Sequence, residues 1–152
     1  MKAYLNKVKN EIKRVDHLFF VSLKYTRTVD VIRNVVERMI NAFDEGIDAL
    51  LEYAVRNKKI KHSEIPHAPR LKLELVKNLY STENRMLGFM DFYLNLRKII
   101  QAKYTKKEEH RRHVAMIAEI EPKNFIEVNI DLLSEYYKKT KEFLEFLEGI
   151  FL

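Results

Sequence analysis

The sequence contains no cysteine, which excludes disulfide bonds and thiolate metal sites. Only three glycines and three prolines interrupt its 152 residues. That scarcity favours long helices over a sheet of many strands joined by frequent turns. The combination of many lysines, glutamates and isoleucines with no cysteine also resembles thermophile usage.

Long hydrophobic runs are lacking too. The apolar stretch at residues 18–23 is too short to span a bilayer. No cationic start is followed by an apolar run and a small-residue cleavage site. We therefore expect no membrane association and a cytoplasmic location. Glycine-rich phosphate loops, Ser or Cys nucleophile motifs and paired Glu-x-x-His motifs are absent, so the sequence predicts neither a cofactor nor a metal centre.

What the chain does contain is typical of a globular protein with a charged surface. Hydrophobic residues make up 47% and charged residues 33% of the sequence. A chain of this length buries roughly 70% of the surface that its unfolded form exposes, so we predict a single domain over residues 1–152. The net charge of +6 is compatible with a polyanionic partner such as nucleic acid.

Apolar residues recur every three or four positions through most of the chain, which is the period of a helix face. This pattern predicts four main helices, at residues 2–24, 29–58, 81–103 and 132–149, and a short helix at residues 70–80. The segment from Thr26 to Thr28 offers the cap of the second main helix, and Ser81 and Asp131 are the expected caps of the later ones. Gly46, within the second helix, either permits close packing or marks a break, and the length of the helix also favours a kink near Asp44-Glu45-Gly46.

The helical period stops before the last helix. Residues 113–120 and 125–130 read as two strands, and the second alternates Ile126, Val128 and Ile130 with other residues. Glu121-Pro122-Lys123-Asn124 between them suits a tight turn. The sequence therefore predicts a β-hairpin at about residues 113–130, and its free edge motivates the expectation of a homodimer.

This layout resembles the HEPN family of small helical domains. The likeness covers residues 29–147 and lies in runs such as Leu96-Arg97-Lys98-Ile99-Ile100 and in a final helix rich in Tyr, Lys, Glu and Phe. It implies a mainly α fold, a four-helix up-and-down bundle with a short extra helix. The hairpin before the last helix is a departure from the plain bundle of the family. The resemblance also implies dimerisation and one of three roles: ribonuclease, partner of a nucleotidyltransferase, or noncatalytic module.

Nuclease members of that family carry an Arg with a His four to six residues later. Arg56 and His62 fit this spacing, although they follow the second helix, whereas the family places the motif near the last one. In this interpretation His62 is the general base for a ribose 2′-hydroxyl and Arg56 stabilises the phosphorane charge. The two can converge only if the loop between them folds back, or across a dimer.

The densest positive segment lies just before the hairpin, and its guanidinium and imidazole groups suit phosphate. If it is extended, His110 and Arg112 share a face; if it is helical, His110 and His113 do. The candidate anion-binding residues are Lys103, Lys106, Lys107, His110, Arg111, Arg112 and His113.

Two functions follow from these patterns. The first is a noncatalytic module that dimerises and binds a nucleic acid, a nucleotide or a protein partner, for example a nucleotidyltransferase-like protein, through the basic patch. The alternative is a metal-independent ribonuclease that uses Arg56 and His62, or the segment from His110 to His113.

Overall fold

The computed structural model describes all residues from Met1 to Leu152. The chain is mainly helical, as predicted, with one small antiparallel sheet before the last helix. The helices are α1 (Lys2–His17), α2 (Val29–Arg56), α3 (Pro69–Leu79), α4 (Asn84–Gln101) and α5 (Ile130–Phe151), and the strands are β1 (Lys103–Lys107), β2 (Ala115–Glu121) and β3 (Asn124–Asn129). None of the helices combines the length and the apolar character needed to cross a bilayer.

The long helix α2 is central, because it contacts α1, α3, α4, α5 and β2. Its wide apolar stripe explains this position: residues such as Ile32, Met39 and Leu50 are fully buried. The helix is continuous from Val29 to Arg56, so a break at Gly46 is wrong. Close packing is the correct alternative, because a Cβ at Gly46 would lie 2.7 Å from Cζ of Phe143 on α5.

Side-chain contacts fix the relative directions of the helices around α5. Later residues of α2 contact later residues of α5, so these two helices run parallel. Later residues of α1 and of α4 contact earlier residues of α5, so α1 and α4 run antiparallel to it. The contacts are Phe43–Phe143, Tyr53–Phe151, Phe89–Phe146, Phe92–Tyr136, Lys9–Glu148 and Asp16–Tyr137.

The end of α1 departs from regular α-helix. It continues through a π-helical turn at Leu18–Ser22 and a single α-turn at Leu23–Tyr25, which together reach the predicted end of the first helix. In a π turn the hydrogen bonds span five residues rather than four, and Leu23 N accordingly donates to Leu18 O.

Two of the three predicted caps are wrong. Thr28 caps α2 as expected, with its Oγ1 accepting from Val31 N at 3.3 Å. The helix α4 begins after Glu83 rather than Ser81. The cap of α5 is Asn129, whose Oδ1 accepts from Leu132 N at 2.8 Å, and Asp131 lies in the first turn.

The predicted hairpin is present as β2 and β3, but it belongs to a three-stranded sheet. β1 pairs with β2 in the register Lys107↔Ala115 and Lys103↔Glu119. The left-handed residue of the hairpin turn is Lys123 (φ 63°). The inner face of the sheet packs Met116, Ala118 and Val128 into an apolar cluster of 36 buried residues that also draws on all five helices.

Candidate functional site

The connection between β1 and β2, residues 108–114, is fixed to the start of α2. Glu109 Oε2 accepts a hydrogen bond from Val29 N at 2.9 Å, so a side chain from a distant segment satisfies one of the free amides of that helix end. His110 N donates to Arg27 O at 2.6 Å. Glu108 and His110 adopt left-handed backbone conformations, with φ of 50° and 65°. The segment is therefore a tight turn, neither extended nor helical as the sequence suggested.

Docking of this turn forms a cleft beside the N-terminus of α5. The cleft has a volume of about 510 Å³. Its walls come from the loop after α1, the end of β1, the turn, the end of β3 and the first turn of α5. The lining residues are Arg27, Lys107, Glu108, Arg112, His113, Glu127, Asn129, Ile130 and Asp131.

The cleft carries as many carboxylates as fixed positive charges. Lys107 Nζ lies 2.9 Å from Glu127 Oε1, and this hydrogen bond raises the pKa of Lys107. Arg27 and Arg112 form no salt bridge. The other two carboxylates, Glu108 and Asp131, pair with no cation either, so an incoming anion meets two free guanidinium groups and two opposing carboxylates.

Arg27 is the most unusual residue of the cleft. Its Nε is buried and has no hydrogen-bond partner in the protein. An unpaired buried donor on a charged group costs free energy, on the order of 1–3 kcal/mol or more. A polar ligand that drew the Arg27 side chain toward the cleft and accepted from this nitrogen would recover that free energy.

The structure brings together only some of the predicted anion-binding residues. Lys107, Arg112 and His113 line the cleft, whereas the exposed side chains of His110 and Arg111 do not. Lys106 points to the inner side of the sheet, 3.7 Å from Asp30 Oδ1, and attraction to Asp30 raises its pKa. Lys103 lines a separate depression of about 400 Å³ beside the hairpin turn.

The sequence did not reveal several residues of the cleft. Arg27 lies in a short loop and reaches the cleft only through the tertiary contact with His110. Glu127 and Asn129 were visible only as strand residues. Asn129 carried a usable signal, because Asn immediately before a helical pattern is a strong cap residue.

The second predicted pair, Arg56 and His62, does converge, and it does so on one carboxylate. Glu52 Oε1 accepts from Arg56 Nε at 3.2 Å, and Glu52 Oε2 lies 2.9 Å from His62 Nε2. The hydrogen bond with His62 is the main cause of the lowered pKa of Glu52. His62 is exposed and, with Lys58, lines a depression of about 510 Å³.

No group of three or more His, Asp or Glu side chains has the arrangement of a metal site. Comparison with known proteins finds no family model, no curated protein and no solved structure that matches this chain.

Proposed function

We propose that this protein is a noncatalytic module that binds nucleic acid through phosphate contacts in the cleft between Arg27 and Arg112. The observation that carries the proposal is Arg27, which lines the same cleft as the free guanidinium group of Arg112 and whose buried Nε has no protein acceptor. His113 adds a ring nitrogen at the same wall.

The chemistry favours phosphate over a simple monovalent anion. A guanidinium group presents its donors as a planar fork that matches two phosphate oxygens, and such charge-assisted bonds are roughly twice as strong as neutral ones. The first turn of α5 adds the positive end of a helix dipole, although Asp131 already partly complements it. Glu108 and Asp131 oppose a polyanion, so we expect moderate affinity that depends on the two arginines.

The direct test is binding of a fluorescent single-stranded RNA oligonucleotide, measured by anisotropy at several salt concentrations. Arg27→Gln and Arg112→Gln should each weaken binding roughly 10- to 100-fold, the equivalent of about 1.5–3 kcal/mol for bonds to a charged group. Arg70→Gln, an exposed and unpaired arginine on α3, is the matched control and should leave affinity unchanged. Equal losses in all three variants would show that only net charge matters, and no binding at low salt would refute the proposal.

A second test neutralises a carboxylate of the cleft instead of an arginine. Asp131→Asn removes a negative charge from the cleft and should strengthen RNA binding about fivefold, since two unit charges 4 Å apart in water interact by about 1 kcal/mol. Glu74→Gln makes the same change in net charge on the exposed face of α3 and should have a smaller effect. Equal gains in both variants would place the binding site elsewhere.

A metal-independent ribonuclease is the second candidate, and the convergence of Arg56 and His62 on Glu52 favours it. In this proposal Glu52 hydrogen-bonds to Nε2 of His62. The other ring nitrogen, Nδ1, is then free to take the proton of a ribose 2′-hydroxyl. Arg56 would stabilise charge on the phosphorane. Cleavage of RNA in EDTA that His62→Ala abolishes and His67→Ala preserves is the expected outcome. Cleavage that survives His62→Ala, or none in the unaltered protein, counts against it.

We also propose the finer fold, an HEPN-like four-helix up-and-down bundle made by α1, α2, α4 and α5. The alternating directions of these helices support it. A homodimer and a nucleotidyltransferase-like protein partner are the further expectations that accompany this proposal.

A further inference from the structure

An aromatic patch lies beside the cleft and belongs to neither of the sites above. It consists of Phe20, Val21 and Tyr25, whose exposed fractions are 57%, 42% and 79%. The apolar run at residues 18–23 is too continuous to be buried on one helix face, and the π-helical turn at Leu18–Ser22 occurs within it. π-helical turns are rare and often occur at functional sites.

Phe20 is fixed by neighbouring rings, whereas Tyr25 is the more exposed ring. Phe20 packs edge-on against Phe19 and Tyr137, with ring centroids 5.0 and 5.9 Å apart. Lys141 Nζ lies 4.4 Å from the centre of the Tyr137 ring, and Lys24 Nζ lies 5.9 Å from that of Tyr25. The patch is thus a set of aromatic surfaces bordered by ammonium groups.

Two elements connect the patch with the cleft. Tyr25 precedes Arg27 by two residues. On α5, Ile130 of the cleft and Tyr137 lie seven residues apart on one face, or about 11 Å along the axis. A ligand whose phosphate contacts Arg27 and Arg112 can therefore reach the aromatic side chains without leaving the surface.

The charged residues around the patch and the cleft indicate which class of partner fits this surface. Lys24, Arg27, Arg112 and Lys141 border it, and none of them forms a salt bridge. Carboxylates also occur on this surface: Asp16 accepts from the Tyr137 hydroxyl, Glu127 in the cleft pairs with Lys107, and Glu108 and Asp131 line the cleft without a cation. An apolar protein surface would bury these cations without partners, whereas a nucleic acid supplies both flat apolar bases and phosphates.

We infer that the ligand is single-stranded nucleic acid, with phosphates in the cleft and unpaired bases stacked on Phe20 and Tyr25. This inference rests on the function proposed for the cleft. Stacking on aromatic side chains requires base faces that a duplex keeps covered, and it contributes about 1–3 kcal/mol per base in other proteins. The protein should therefore prefer single strands to the duplex of the same sequence.

The experiment compares a 2-aminopurine-labelled single-stranded RNA with its duplex. Phe20→Ala and Tyr25→Ala should each weaken single-strand binding roughly 5- to 100-fold and abolish the change in 2-aminopurine fluorescence. Neither should alter binding of inorganic polyphosphate, which has no bases. Phe125→Ala is the matched control, because Phe125 is 58% exposed and lies at the far end of β3 from the cleft.

The outcomes separate the two proposals. Loss of binding in Arg27→Gln with no effect of Phe20→Ala and Tyr25→Ala, or equal affinity for duplex, overturns the stacking inference and leaves the phosphate cleft standing. No binding of RNA or polyphosphate by the unaltered protein overturns both. Capture of a protein ligand that Phe20→Ala prevents, with RNA binding unaffected, would assign the patch to protein contacts and overturn the inference.

Discussion

Gly46 has no side chain, and this allows α2 and α5 to pack closely together. The ring of Phe143 lies where a Cβ would be, and that ring stacks on Phe43 with centroids 4.3 Å apart. Interiors are close-packed, so an added methyl group must displace one of these rings.

We predict that Gly46→Ala destabilises the protein by about 1–3 kcal/mol, because overpacking outweighs the gain of about 1 kcal/mol in helix propensity. Gly88→Ala on α4 is the matched control: a Cβ there meets nothing within 4 Å, so the variant should gain stability. Urea denaturation measures both. A Gly46→Ala variant as stable as Gly88→Ala would contradict the packing described here.

Asp44 is a second residue whose surroundings have a measurable effect. Burial is the main cause of its raised pKa, and the hydrogen bond from the Tyr93 hydroxyl opposes that shift. A raised folded-state pKa means that the folded protein holds the proton more tightly than the unfolded chain does. The contribution of Asp44 to stability is therefore fully present below its ordinary pKa of 3.8 and is lost as pH rises through the folded value.

Asp44→Asn cannot ionise, so it should abolish this part of the pH dependence. We expect the unfolding free energy of the unaltered protein, minus that of the variant, to decrease as pH rises from 3 toward neutrality. Urea denaturation at a series of pH values measures the difference. A difference that does not change with pH, or that increases, would show that burial does not dominate.

Among the elements, α2 was predictable and β1 was not, for one physical reason. The apolar period of α2 runs through the whole helix, and apolar residues such as Ile32, Met39 and Leu50 are buried. The strand β1 reads Lys-Tyr-Thr-Lys-Lys and is exposed throughout, so it carries no alternating pattern. It forms because β2 offers an unpaired edge and because Tyr104 packs against the Arg33 guanidinium, 4.4 Å from the ring centre. Such contacts cannot be seen in a local sequence window.

The site was predictable to a similar degree. Arg112 and His113 belong to a dense basic segment of the sequence, and Arg56 and His62 fit a motif spacing. Arg27 becomes part of its site through a tertiary contact with the turn before β2. Glu52 becomes part of its site through a tertiary contact with the loop after α2. A sequence pattern indicates the functional residues of one segment, whereas a site combines residues from several segments.

The capping of α2 by Glu109 gives a prediction at this scale. Glu109→Ala leaves Val29 N without its acceptor and should cost about 0.5–2 kcal/mol, the usual effect of losing a helix cap. Glu109→Gln keeps an acceptor and should cost less. Glu108→Ala is the control, since the Glu108 side chain makes no hydrogen bond within the protein. Thermal unfolding followed by circular dichroism compares the three, and equal losses would contradict the capping role.

At the scale of the whole molecule, homodimerisation stays a prediction, and the structure changes where it would occur. β1 occupies one edge of the hairpin and carries Lys103, Lys106 and Lys107, which would face the same lysines of a second copy. We therefore expect a second copy to pair along β3 instead. Sedimentation equilibrium at micromolar concentration should show a dimer, and a monomeric mass would contradict this expectation.

The bond between Glu109 and Val29 joins residues 80 positions apart. During synthesis the first turn of α2 leaves the ribosome long before Glu109 exists, so until then we expect Thr28 to be its only side-chain cap. The same bond orders one wall of the cleft, since the segment that carries Glu109 also carries Arg112 and His113. A growing chain thus acquires its long helix early and its capacity to hold a ligand only after the sheet has been made.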